Sequence, residues 1–270
     1  MSTFRSEKQK REIPILLYPP LIEAIFKVHW ELEKDKQTGR QRDPSYPMMY
    51  GRLYERLKKD FPHIEDLPSV QVHPEASPYI VRHRIRKDKT GYPLMQIGPG
   101  VATVNYAESY SWSSFRGYII RLIETISDLF PTTAMPLNFM KCEIRFLNGI
   151  RIDAPNQNPL AFLSDHLHMK VEVDPELFLM NQMSDQPNAF NLIIGYPSVK
   201  PHGDLGLSAH LGQMDGQPAY LFQTQVISGG EWVPSERQGF ETWLDEAHGA
   251  VVNCFVSLCK GPLMDKFCGG

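Results

Sequence analysis

Long apolar runs are absent. No stretch approaches the roughly 20 consecutive apolar residues that a bilayer-spanning helix needs. An excess of one charge is missing too: 28 basic residues against 31 acidic leave a net charge of -3. That balance excludes a general nucleic-acid coat and a polybasic membrane binder, although local basic patches remain open. Cysteine is scarce. Cys142, Cys254, Cys259 and Cys268 show no CxxC spacing. Cys254 and Cys259 sit within an apolar helical segment, so they read as core thiols and not as ligands or a disulfide. The nucleotide and hydrolase signatures GxxxxGK[ST], GxGxxG and GxSxG are missing as well, and no cofactor is expected. The charged opening MSTFRSEKQKREIP has no apolar core of a secretory signal. A cytoplasmic protein is the expectation.

What is present is enough apolar residue, 42% of the chain, to bury a real core. LIEAIFKVHWEL alternates as a strand over 22–30, and 34–45 (KDKQTGRQRDPS) reads as a solvated loop. A short helix is expected over 48–61, then a Pro-rich connection over 62–78. Strands follow over 79–87, 94–97 and 101–106, the last two joined at Gly98-Pro99-Gly100 by a tight reversal. Tyr118, Ile119, Leu122, Ile123, Ile126 and Leu129 then recur at helical spacing. The same order returns. A strand over 139–152 and a helix over 158–167 precede strands over 189–196, 205–211 and 219–226. A last helix over 239–258 carries Phe240, Trp243, Leu244, Ala247, Val251, Cys254 and Leu258 on one stripe.

The expectation is an α+β protein of two pseudo-repeated β-α-β-β-β-α lobes, each an antiparallel sheet packed on its long amphipathic helix. An N-terminal arm would cover 1–17, the first lobe 18–135 and the second 136–270, in one compact two-lobed unit.

Four segments carry a resemblance: PPLIEAIFKVHWEL, MQIGPGVATVNY with the following YSWSSF, EIRFLNGIRI, and ETWLDEAHGAVVNCF. Together, and in this order, they resemble a sporadically distributed family of uncharacterised bacterial proteins of about this length. The resemblance implies a two-lobed fold and a mobile or defence-related setting, such as a toxin–antitoxin or antiphage cassette. It implies no catalytic residues.

Two side-chain sets are candidates for chemistry. Alternation in VRHRIRKDK puts Arg82, Arg84 and Arg86 on one strand face, where guanidiniums suit the phosphates of a nucleotide or nucleic acid. In the second half, His166, His168, His202, Asp204 and His210 supply imidazoles and a carboxylate of the kind that hold a divalent metal in a hydrolase, though at no known metal spacing. Tyr106, Tyr110, Trp112 and Phe115 read as a plug at the sheet–helix junction. His248 with Asp245 reads as a surface ion pair, and Gly269-Gly270 as helix-capping glycines rather than a conjugation tail.

No complete nucleophile, base and orienter can be assembled. The expected function is a non-catalytic binding or accessory protein, with a protein partner or a second copy of itself and no membrane. Nucleic-acid or nucleotide binding through Arg82, Arg84 and Arg86 is the first alternative, and a metal-dependent hydrolase the second.

Overall fold

Alternation in LIEAIFKVHW makes the first strand. On β1 (Leu21–Trp30), Ala24, Phe26, Val28 and Trp30 are fully buried, while Glu23, Ile25, Lys27 and His29 take the other face. The computed structural model describes residues 14–131, 136–152 and 158–270, so residues 1–13 of the expected arm lie outside the described residues.

Two-residue strands β2 (Glu33–Lys34) and β3 (Gln41–Arg42) pair with each other. The chain continues through α1 (Tyr46–Leu57), β4 (His63–Asp66), β5 (His83–Arg86), β6 (Leu94–Gly98) and β7 (Val101–Tyr106) to the long α2 (Trp112–Leu129). After it come β8 (Phe139–Arg151), α3 (Pro159–Leu167), α4 (Pro175–Asn181), β9 (Asn191–Val199), β10 (His202–Met214) and β11 (Gln217–Gly229). The helices α5 (Arg237–Cys259) and α6 (Pro262–Cys268) complete the order.

The two sheets expected from the repeated element order are one sheet. Nine antiparallel strands run β4-β5-β6-β7-β1-β8-β11-β10-β9. β1 and β8 would each have been an edge, with a row of backbone groups open to pairing with another strand. They pair instead, Phe26 opposite Ile144 and Val28 opposite Cys142, because their apolar alternations bury the same face.

The chain falls into two compact units. Of the described residues, the larger holds 21–131, 136–152 and 188–251, and the smaller 14–20, 158–187 and 252–270. In the larger unit, α2 and the first part of α5 supply Phe115, Ile119, Leu122, Ile123, Phe240, Trp243 and Leu244 to one buried cluster with the sheet. Phe26 meets Trp243 edge-on, with ring centroids 6.3 Å apart, and Phe139 meets Phe240 at 5.3 Å. Each large apolar side chain buried this way contributes roughly 1.5–3 kcal/mol. In the smaller unit, Leu263 and Phe267 of α6 are buried and the Tyr18 N–H donates to the Phe267 carbonyl at 2.9 Å. Gly269 takes the left-handed conformation that caps α6.

Segment 34–45 is no free loop. Asp43 gathers four donors. Its Oδ2 accepts from Trp30 Nε1 and from the Gly100 N–H, both at 3.0 Å. Its Oδ1 accepts from the N–H groups of Ser45 at 3.0 Å and Tyr46 at 3.1 Å. One carboxylate thus ties the end of β1, the β6–β7 turn and the start of α1.

Candidate functional site

The sheet face turned away from α2 and α5 is polar across its centre. Residues directly opposite on paired strands share a face, so the register reads it off. One row runs Glu65, Arg84, Gln96, Thr103, Lys27, Glu143, Ile227, Asp204. The next runs Leu94, Asn105, Ile25, Arg145, Gln225, Gly206. A third sets Glu23, Leu147, Gln223 and Ser208 side by side.

An ordinary open sheet face is polar because water solvates it. This one differs at its middle, where Thr103, Asn105 and Glu143 are only 3%, 6% and 7% exposed. Thr103 and Asn105 are held in a chain of hydrogen bonds. Gln96 Nε2 donates to Asn105 Oδ1 at 3.1 Å and Thr103 Oγ1 donates to the same oxygen at 2.7 Å. Asn105 Nδ2 donates in turn to Glu23 Oε1 at 2.8 Å. Burial, and then the Glu23 carboxylate, push the Tyr92 hydroxyl up to about 12, so it remains a donor. Gln223 Nε2 donates to Gln225 Oε1 at 3.0 Å. Beside it, the Arg145 Nε forms an ion pair with the Glu143 carboxylate at 3.6 Å, too far for a hydrogen bond, and is buried with no hydrogen-bond partner.

One end of the face is closed by segment 77–82. A Cβ on Gly98 would lie 1.9 Å from the Ile80 carbonyl oxygen, so only glycine lets this segment cross so closely. Tyr79, in the left-handed region at φ 62°, sets its ring 5.2 Å from His29. Burial, with help from Lys27 and Lys141, lowers His29 to about 4, so it is neutral at physiological pH. Nearby, Lys141, His202 and Asp204 of the same sheet and Trp232, in the 3-10 turn after β11, line an open groove of about 580 Å³. The His202 ring stacks on half-exposed Trp232 at 4.2 Å.

The arginines of β5 and the residue before it do share a strand face, but they are occupied. Arg82 is 4% exposed and donates to the Val70 carbonyl at 2.6 Å and to Ser77 Oγ at 3.3 Å. Arg84 and Arg86 both donate to Glu65 Oε2 at 3.2 Å. Glu65 lies on β4, which arises inside the expected Pro-rich connection and was not foreseen as a strand.

The candidate metal ligands are scattered. His202 and His210 stand eight residues apart on β10, about 26 Å along a strand. In the smaller unit, His166 packs on Phe162 at 4.9 Å, and His168 Nε2 bonds the Lys260 carbonyl at 2.9 Å. Among the described residues, no three His, Cys, Asp or Glu side chains stand together as a metal would need.

His248 and Asp245 are not an ion pair. Arg116 takes both Asp245 oxygens, at 2.9 and 3.2 Å. His248 stacks flat on Trp112 at 3.8 Å, and burial lowers it to about 4. Tyr106, Tyr110, Trp112 and Phe115 pack on one another with centroids 5.7–6.3 Å apart, filling the corner between β7 and α2. Burial pushes the Cys259 thiol up to about 12 and raises Cys142 and Cys254, which leaves them poor nucleophiles.

Among the described residues no helix is long and apolar enough to cross a membrane. The chain matches no protein-family model and no curated protein.

Proposed function

We propose that the protein is a non-catalytic binding or accessory protein whose open sheet face receives a partner protein. The Gln96–Thr103–Asn105–Glu23 array, buried at Thr103 and Asn105, carries this reading. Buried polar groups cost stability relative to apolar ones unless they are fully paired. A face with no partner to read has no need of them. Carboxylates favour protein over nucleic acid here. Glu23, Glu65, Glu143 and Asp204 are interleaved with Lys27, Arg84 and Arg145, and a phosphate backbone would meet an acid in two of the three rows. The strands that flank β1 and β8 on either side support reading the face as two repeated halves. The family resemblance supports a bacterial defence or toxin–antitoxin setting.

Site-specific photocrosslinking in the source cell tests the reading. A photoreactive residue replacing Gln225, on the face, should capture a defined protein. The same residue replacing Glu124, on α2, should not, and Lys27→Glu with Arg145→Glu should abolish the capture at 225. Equal capture at both positions, or a product that nuclease removes, would overturn it.

A further inference from the structure

β9 ends the sheet, and among the described residues no strand pairs with its outer edge. Its nine residues, NLIIGYPSV, include no charge. Ile193 is 71% exposed and Val199 79%, both turned to the open face, while Tyr196, 50% exposed, lies on the other. The opposite edge is built differently: β4 is four residues long and carries Glu65 and Asp66. Shortness, charge and proline are the usual guards of a sheet edge. β9 has only Pro197, which removes one backbone donor.

We propose that β9 pairs antiparallel with β9 of a second copy of this chain, joining two nine-stranded sheets across a two-fold axis. The strand's unpaired backbone groups are satisfied by another strand, and three features select its own image. Without charge, the strand does not repel itself. A register centred on Tyr196 sets Ile193 opposite Val199 of the second copy twice over, and the two Tyr196 rings opposite each other on the other face. The guarded β4 edge leaves nothing for further copies to join, so pairing closes as a dimer and not as a fibre. This assembly is independent of the partner read by the open face.

Light scattering on the full chain over a dilution series tests it. Twice the chain mass is expected at high concentration, falling to one chain mass on dilution, and Ile193→Lys with Val199→Lys should give one chain mass throughout with unchanged far-UV circular dichroism. Under mild oxidation, Tyr196→Cys should form an intermolecular disulfide that the wild type does not. Ser198→Cys should not, because its two copies would sit about 13 Å apart along the paired strands. One chain mass at every concentration, a dimer that survives both lysines, or cross-linking at 198 in place of 196 would overturn the proposal.

Discussion

Replacing Asp43 with alanine strips a partner from four N–H groups at once. The most costly is Trp30 Nε1, on a side chain that is fully buried. A buried donor left unpaired costs about 1–3 kcal/mol. Losing the two bonds that Oδ1 accepts at the start of α1 resembles the loss of a helix cap, about 1 kcal/mol, and the Gly100 N–H adds a contribution of similar size. The bonds share one carboxylate and do not add fully, so the expected loss is about 3–5 kcal/mol. That is a large share of the roughly 5–15 kcal/mol that holds a typical domain together. Asp43→Asn sharpens the test. With its carbonyl toward Ser45 and Tyr46, the asparagine would aim an NH₂ at the Trp30 and Gly100 donors, so asparagine should recover little of what alanine loses. Urea unfolding followed by far-UV circular dichroism reads both variants. A loss below about 1 kcal/mol for alanine, or wild-type stability for asparagine, would refute the assignment of Asp43 as the tie between β1, the β6–β7 turn and α1.

Ser228→Ala should cost about 2 kcal/mol, because its fully buried hydroxyl accepts from Trp243 Nε1 at 2.8 Å and donates to the His202 carbonyl; urea unfolding checks it, and Ser228→Thr should recover part of the loss if the site admits a methyl. His29 and His248 bind protons less well in the folded chain than their ordinary value of 6.5, so protons favour the unfolded state. Stability should be full above about pH 6.5 and fall as pH drops toward 4, by up to roughly 3 kcal/mol per histidine before solvent screening trims it. Melting temperatures across that range should flatten in His248→Gln. Glu65→Gln should release Arg84 and Arg86, giving salt-sensitive binding to a single-stranded oligonucleotide that the wild type lacks, with a salt slope steeper by roughly one to two; unchanged binding would mean that Glu65 is not what silences them. Thr103→Val should leave the melting temperature within a few degrees of wild type while weakening photocapture at position 225, since it removes a hydroxyl that serves the array more than the fold.

The strands and long helices were legible because each buries one face and says so in its spacing. β1, β7, β8 and α5 fall within a residue or two of where alternation or a helical stripe put them, and α2 ends with its stripe at Leu129 but begins six residues before it, at Trp112. β4 was not legible. HIED holds one apolar residue in four, and a short edge strand is made by backbone pairing that no side-chain pattern announces. Missing β4 hid Glu65, 19 and 21 residues before the two arginines it neutralises. The alternation of Arg82, Arg84 and Arg86 was read correctly, but their freedom was not. Asp43 was hidden for a related reason: in KDKQTGRQRDPS it looks like one more solvated charge, and its donors lie 13 and 57 residues away.

The open face was invisible for a different reason. Lys27, Thr103, Glu143 and Gln225 each appear in sequence as the polar half of an alternating strand, which is what any half-solvated strand shows. Only the strand order turns them into neighbours. Had β1 and β8 remained edges of separate sheets, Lys27 and Glu143 would have faced water on different lobes. Their pairing makes β1 and β8 the centre of one sheet, and it is at this centre that Thr103, Asn105 and Glu143 become buried. A valine or leucine at these positions would bury without the need for partners, whereas each polar group retained there must find one or cost stability. The chain holds amide, hydroxyl and carboxylate in a single bonded line and leaves the Arg145 Nε beside it ion-paired to Glu143 but without a hydrogen bond. Such a residue set gains little for the fold. It is the kind that fixes the orientation of something polar laid against it, which is why the search for a partner belongs on this face before any other.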